Sequence, residues 1–318
     1  MAKGTGNLSN LSKCFSDEPA ARQLLESMRW PNGAACPRCG GADPYKLNVK
    51  ASGKNPARKG LWKCKACRKQ FTVTTGTIFE SSHIAISKWL LALHLICASK
   101  KGMSAHQLHR MLGITYRAAW FVNHRLRHAM ADGDVFAKLA GVIEIDETYV
   151  GAKRKRGTHR GRPSFGSHKT PVVALVQRGG KVRAFPMPRV TSDNLKAAMQ
   201  AHLKPEAQIV TDEYPAYKRP ASAFASHDQV THSRGEYVRG KIHTNTVEGF
   251  FSLLKRGING SFHHVSKAHL FRYVDEFTFR HNTRMALGFN DSDRAAMLVL
   301  KAEGKRLTYK KGAGASAA

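Results

Sequence analysis

VIEIDETYV, from Val142 to Val150, alternates in character along its length and is rich in β-branched and aromatic residues. That is the pattern of a strand presenting one set of side chains to each face of a sheet. Downstream, PVVALVQ (Pro171 to Gln177) reads as a buried strand, and KVRAFPM (Lys181 to Met187) as its neighbour after the Gly179-Gly180 turn. Ser192 to Leu203 fits a helix and Gln208 to Asp212 a fourth strand, and the period becomes helical again from Thr244 to Leu254. Strands, helix, strand and helix in this order predict a mixed α/β domain, expected over residues 135–290 of a multi-domain α/β chain.

Upstream the signals change. Cys36-Pro37-Arg38-Cys39 and Cys64-Lys65-Ala66-Cys67 are two CxxC pairs, and two such turns can close a tetrahedral thiolate shell around zinc. The 24 residues between the pairs exceed the usual ~15–20, a difference that a longer β-hairpin would absorb. Gln70 to Thr74 reads as a short strand. Four unrelated thiols or a redox pair are the competing readings, and Cys14 and Cys97, which have no partner at ligand spacing, read as packing residues. Ser16-Asp17-Glu18-Pro19 has the signature of a helix start, with the helix running to Trp30. The N-terminal helix and zinc ribbon are assigned to residues 1–80.

Between Ile84 and Ala98 apolar residues recur at helical spacing. Two further helices are expected at Ser104–Leu112 and Thr115 to about Met130, joined at Gly113-Ile114. Helix, short glycine turn and helix is helix-turn-helix spacing, assigned to residues 81–134. The second helix offers Tyr116, Arg117, His124 and Arg125 to DNA; an ordinary bundle with a solvated basic face is the alternative. Residues 291–318 are expected to hold a C-terminal helix and, from Lys301, a disordered tail.

Charge decides between classes of partner. The chain has 318 residues, 42% of them hydrophobic, which allows a sizeable core in about two domains of ~150 residues. Its 52 Lys and Arg against 22 Asp and Glu give a net charge of +30, which favours a polyanionic partner. The most apolar run, Trp89 to Ala98, is about half the ~20 residues of a membrane span, and MAKGTGNLSNLSK lacks the apolar core of a secretory signal. A cytoplasmic, nucleoid-associated protein with DNA as its partner is the expectation, and no membrane association.

Against so few acids, the placement of carboxylates is informative. Asp146 lies in a strand, Asp212 at the C-terminal end of another, and Glu248 on a helix, so one α/β site could collect all three. Each has a plainer reading: Asp146 paired with a basic neighbour, Asp212 in an Asx-type turn before Tyr214-Pro215, and Glu248 in a capping box with Asn245. Like charges in one place persist ionised only around a cation, and hard oxygen ligands suit two Mg²⁺ or Mn²⁺ ions acting on a phosphodiester.

CPRCG with CKAC, then IEIDETYVGAK, VTDEYPAY, HTNTVEGFFSLLKRGINGSFHHVS and DEFTFRHNTR together resemble the zinc-ribbon group of bacterial insertion-sequence transposases of the DDE type, from about Phe15 to Arg284. The resemblance implies an RNase H-like catalytic domain with a two-metal acidic triad. Its first two members fall on Asp146 and Asp212 and its third on Glu248, with Asn245 as the alternative. It also implies that Lys255, two helical turns beyond Glu248, and Arg256 beside it contact DNA phosphate. Lys153, Arg154, Lys155, Arg156, Arg160 and Arg162 follow the Asp146 strand in a glycine-rich segment and can clamp phosphates there. The expected activity is binding of the element's terminal repeats, metal-dependent strand cleavage, and transfer of the freed 3′-hydroxyl to target DNA, with at least two protomers assembled on DNA. A DNA-binding regulator without catalysis and a metal-dependent nuclease are the competing functions.

Overall fold

The computed structural model describes residues 8–48, 59–131, 137–151 and 169–308, without side chains at 8–11. Two compact units emerge. One joins the chain up to Ser99, Met103–Met130 and the segment from Phe289 onward; the other joins Lys100–Gly102 to Ala131–Gly288.

The first unit begins with helices α1 (Leu8–Ser16) and α2 (Glu18–Arg29). Asp17 caps α2 by accepting the Ala20 N–H at 3.1 Å, as its sequence position foretells. A three-stranded antiparallel ribbon follows, β1 (Pro44–Leu47), β2 (Leu61–Cys64) and β3 (Gln70–Phe71), with β2 central. The β1–β2 hairpin separates the two CxxC turns, while β3 is shorter than its sequence suggests because Thr72 to Thr75 bond to one another in a turn. Helices α3 (Ile86–Ala98), α4 (Ala105–Leu112) and α5 (Tyr116–Met130) come next. Glu18 accepts the Ile86 and Ser87 N–H groups at 2.9 and 3.0 Å, so a carboxylate of α2 caps α3. Ser104 caps α4, Gly113 takes the left-handed conformation (φ 58°) that turns the chain, and Thr115 accepts the Ala118 N–H.

The C-terminal segment corrects the expectation of a disordered tail from Lys301 as far as Thr308; residues 309–318 lie outside the described residues. Helix α10 (Asp291–Lys301), opened by an Asn290–Asp293 capping box, packs with α2, α3 and α5. Beyond it Ala302 is fully buried, Gly304 N–H bonds to Gly76, and the Leu307 carbonyl accepts from Arg125. These bonds hold the backbone of Ala302, Gly304 and Leu307 to the protein.

The second unit is a five-stranded sheet of β4 (Val142–Gly151), β5 (Lys169–Gln177), β6 (Val182–Pro186), β7 (Gln208–Thr211) and β8 (Ser226–Gln229), in the order β6-β5-β4-β7-β8. β4, β5 and β6 form an antiparallel meander, whereas β7 and β8 lie parallel to β4 and so need crossovers. Helix α6 (Ser192–His202) makes the first and α7 (Lys218–Ala221) lies in the second; both cover the face of Ile143, Ile145 and Leu175. After a small hairpin of β9 (Val238–Arg239) and β10 (Ile242–His243), helices α8 (Asn245–Gly257) and α9 (Leu270–Asn282) cover the opposite face. There Val150, Val172, Ala174 and Val176 meet Phe250, Leu254 and Phe277. The edge strand β6 is closed by Asn282, whose side chain accepts the Val182 N–H at 2.7 Å and donates to its carbonyl at 3.0 Å.

Candidate functional site

β4 and β7 run side by side with Val142 opposite Gln208, Ile143 opposite Ile209 and Glu144 opposite Val210. Carried two residues further, this offset brings Asp146 level with Asp212 on strands ~4.8 Å apart. Alternation sends Asp146 to the face of Val150, the face that α8 covers, and Glu248 is the fourth residue of α8. A cleft of about 710 Å³ opens there, with Asp146, Thr148 and Glu248 among its acidic and polar lining and Lys101, Lys255 and Arg256 among its basic one.

The acids sense one another. Burial pushes the Asp146 carboxyl up to about 7, the charges of Glu147, Asp212 and Glu248 add to it, and the Glu147 N–H, 2.7 Å from Oδ1, opposes them. Asp212 accepts the Tyr214 N–H at 3.0 Å, so the Asx-type turn exists alongside any other role. Glu248 is half exposed; its Oε1 accepts the Thr244 hydroxyl at 2.9 Å and stands 3.9 Å from His232 Nε2. The capping box with Asn245 does not form: Thr244 is the N-cap, and a different carboxylate, Glu144, takes the first-turn N–H groups. Asn245 is exposed and absent from the cleft lining. The carboxylates share a field without closing tightly. Among the described residues, only the four cysteines bring three or more ligand atoms within 4.8 Å of one another.

Those cysteines form the second centre. Cys36 Sγ lies 3.7 Å from Cys67 Sγ, and Cys39 Sγ 3.6 Å from Cys64 Sγ. Four sulfurs at ~2.3 Å around a tetrahedral zinc would stand ~3.8 Å apart, so the cage fits the ion as it stands. Burial works against a Cys36 thiolate, yet N–H groups of Arg38 and Cys39 hold its thiol down to about 7. Trp30, Trp62 and Phe71 pack around the cage.

The DNA candidates divide. Tyr116 and Arg117 are exposed at the start of α5, the Tyr116 ring stacked 4.2 Å from His106. His124 and Arg125 are 1% and 5% exposed, which corrects their assignment as DNA donors. The Arg125 guanidinium instead donates to the carbonyls of Ile78, Glu80 and Leu307. Lys153, Arg154, Lys155, Arg156, Arg160 and Arg162 lie outside the described residues. Lys255 and Arg256 line the cleft. Sequence reasoning missed Lys101, whose lysine-lysine-glycine context carries no signal. It also missed Glu144, which the parity of β4 places on the face of Asp146.

Residues 138–282 match the ISXO2-like transposase domain, and residues 16–70 the transposase zinc-ribbon domain. A Halobacterium salinarum protein, described as an uncharacterized protein in transposable element ISH50, is 30% identical over 288 residues, covering 84% of this chain and 92% of the relative. Two solved structures, the Mos1 Strand Transfer Complex and a pre-cleavage Mos1 transpososome, share 12% identity over 69% and 68% of this chain and 79% of each of theirs. Their TM-scores of 0.29 and 0.26 are too low for geometry to be carried across. A four-cysteine ribbon ahead of a transposase domain defines the class: this is a transposase of a mobile insertion element. Within that class the chain belongs to the ISXO2-like family, and its halobacterial relative is archaeal, so the likeness is not confined to bacteria. No helix among the described residues is long and apolar enough to cross a membrane.

Proposed function

We propose that the α/β unit is an RNase H-like catalytic domain that cuts DNA at the ends of its element and joins the freed 3′-hydroxyl to target DNA. Asp146, Asp212 and Glu248 form its acidic triad. The observation that carries this reading is the cleft in which Asp146 of β4 and Glu248 of α8 face a basic flank, with the β4–β7 register running on towards Asp212, whose charge reaches Asp146 although it does not itself line the cleft.

The donor set is hard oxygen and electrostatically stressed when unneutralised, as the raised Asp146 carboxyl attests, and this suits Mg²⁺ or Mn²⁺. Two such ions bound there would supply charge stabilisation for the attacking and leaving oxygens of an in-line displacement at phosphorus. The chain's own residues do the rest. Lys101, Lys255 and Arg256 hold the anionic backbone across the cleft. Glu248 is fixed by Thr244, and Asp146 is steadied by the Glu147 N–H. Water attacks phosphorus in the cleavage step and breaks the bond to the 3′-oxygen; that hydroxyl then attacks a target phosphodiester and displaces the target strand's own 3′-hydroxyl, so no covalent protein intermediate forms. The ribbon and the exposed start of α5, with Tyr116 and Arg117, bind the terminal repeats. Two or more protomers, assembled on chromosomal DNA in the cytoplasm, bring the ends together.

The test is cleavage and joining on DNA carrying the element's ends, in Mg²⁺ or Mn²⁺, comparing wild type with Asp146→Asn, Asp212→Asn and Glu248→Gln. Each variant is expected to lose chemistry and keep binding, and affinity should fall by ~10³ or more between about 50 and 200 mM salt. Wild-type cleavage indifferent to the ends would make the protein a nuclease, and end binding with no cleavage in either metal a regulator. Full activity in Glu248→Gln with loss in Asn245→Ala would move the third position to Asn245.

A further inference from the structure

Glu144 is fully buried, two residues before Asp146 on the same strand and the same face. Its carboxylate accepts the Thr246 N–H at 2.7 Å, the Thr246 hydroxyl at 2.9 Å and the Val247 N–H at 3.1 Å. Arg178, in the turn between β5 and β6, donates to its Oε1 from Nε at 2.9 Å, and Nη2 stands 2.9 Å from the same oxygen in an ion pair. His243 Nδ1 stands 3.4 Å away. The same guanidinium also donates to the carbonyls of Lys241 and His243, the residues that lead into α8.

The first N–H groups of a helix have no partner within it, and a side chain of the N-cap ordinarily supplies one. Thr244, the N-cap of α8, makes no such bond. The acceptor comes from the middle of the sheet instead. We infer that Glu144, locked by Arg178, is a positioning residue: it bolts the first turn of α8 to β4 and so fixes where Glu248 stands relative to Asp146. This rests on the reading of those two residues as parts of one acidic site.

Stability alone does not account for the arrangement. A carboxylate taken wholly out of water pays heavily in desolvation, even with a partly exposed arginine beside it, and well-packed apolar residues hold a fold as firmly or better. What an apolar pair cannot do is specify one axial and rotational setting of the helix. Two N–H groups on one carboxylate oxygen, with a hydroxyl and a guanidinium on the other, do specify it. Glu248 follows Val247 directly, so a shift in that turn moves its carboxylate by a comparable amount.

The test uses the full zinc-loaded chain carrying Glu144→Gln or Thr246→Ala. Three quantities are read: Mn²⁺ binding by calorimetry, amide hydrogen exchange at Thr246 and Val247, and affinity for end-containing DNA. Glu144→Gln is expected to speed exchange at both amides and to weaken Mn²⁺ binding by about tenfold or more, as outer-shell substitutions at metal sites do, with DNA affinity unchanged. Thr246→Ala removes one hydroxyl contact only and is expected to weaken Mn²⁺ binding in the same direction by about threefold, which keeps the inference testable should Glu144→Gln fail to fold. Wild-type Mn²⁺ affinity in folded Glu144→Gln, or wild-type exchange at both amides, overturns it, as does wild-type Mn²⁺ affinity in Thr246→Ala if Glu144→Gln does not fold. Failure of the underlying site reading looks different. Wild type and Asp146→Asn would then bind Mn²⁺ alike, and the positioning role would fall with the site.

Discussion

Arg125 separates a basic residue that serves the fold from one that serves DNA. Its guanidinium reaches the carbonyls of Ile78, Glu80 and Leu307 at 2.6, 3.0 and 3.1 Å and lies over the Phe121 ring, 4.6 Å from its centroid. Arg125→Met keeps most of the stem's volume and removes every donor. Each buried carbonyl left without a donor costs ~1–3 kcal/mol, and the ring contact adds up to ~1. Water entry and relaxation pull the sum of three carbonyls toward the lower end, so a loss of roughly 3–5 kcal/mol is expected. Burial lowers the Arg125 pKa and leaves it a cation, so replacing it also removes a positive charge. The assay pairs urea unfolding with DNA affinity measured across a salt series, and uses Arg117→Ala as the contrast. Arg125→Met should unfold at markedly lower urea while the folded protein keeps the wild-type salt slope. Arg117→Ala should leave the urea midpoint unchanged and reduce the slope by about 0.9, one phosphate contact. Wild-type stability in Arg125→Met, together with a slope reduced by about 0.9, would refute the reasoning and return Arg125 to the DNA surface.

Three further outcomes follow from other parts of the molecule. Stripping zinc with a chelator, or replacing Cys64 with serine, should unfold the β1–β3 ribbon, since a structural zinc contributes on the order of 10 kcal/mol; one zinc per chain by mass spectrometry and loss of ribbon amide protection on chelation check this. In Gly257→Ala the new Cβ would collide with Phe277 Cζ and stand 3.0 Å from the Lys101 carbonyl oxygen. Overpacking at ~1–3 kcal/mol set against the ~1 kcal/mol gain in helix propensity gives a net loss of up to about 2 kcal/mol in urea unfolding of the α/β unit, and a gain would contradict the packing. Burial, helped by the Arg284 charge, lowers the His281 pKa from 6.5 to about 4. A depressed folded value means that the unfolded chain binds the proton first, so this group's contribution is complete above ~6.5 and is lost as pH falls towards 4. At most roughly 3 kcal/mol is involved, and denaturation between pH 4 and 7 should show this dependence in wild type and lack it in His281→Gln.

Much of the site was legible because its signals are local. The strand and helix periods placed Asp146, Asp212 and Glu248 on the elements that carry them, to within a residue or three at the ends. The cysteine spacing named its ligands outright, because a CxxC turn is a short-range geometry. Helix α9 and strand β8 escaped a reading from residues alone, since their apolar positions are few and make sense only against the surfaces they cover. His124 and Arg125 show the limit most clearly. On a helical wheel a basic residue looks like a DNA donor whether it faces solvent or three backbone carbonyls.

The sequence by itself determined most elements of the α/β unit and the four clustered sulfurs, because periodicity and spacing are properties of neighbouring residues. Only the tertiary structure decided which face each element turns inward. It set Asp146 level with Asp212 through a strand register spanning sixty-six residues. It gave α8 its cap from Glu144, a hundred and two residues away. It folded the segment beyond Lys301 against the first unit, up to Leu307. Each of these depends on a partner that is distant along the chain, and no local pattern can encode where such a partner will lie.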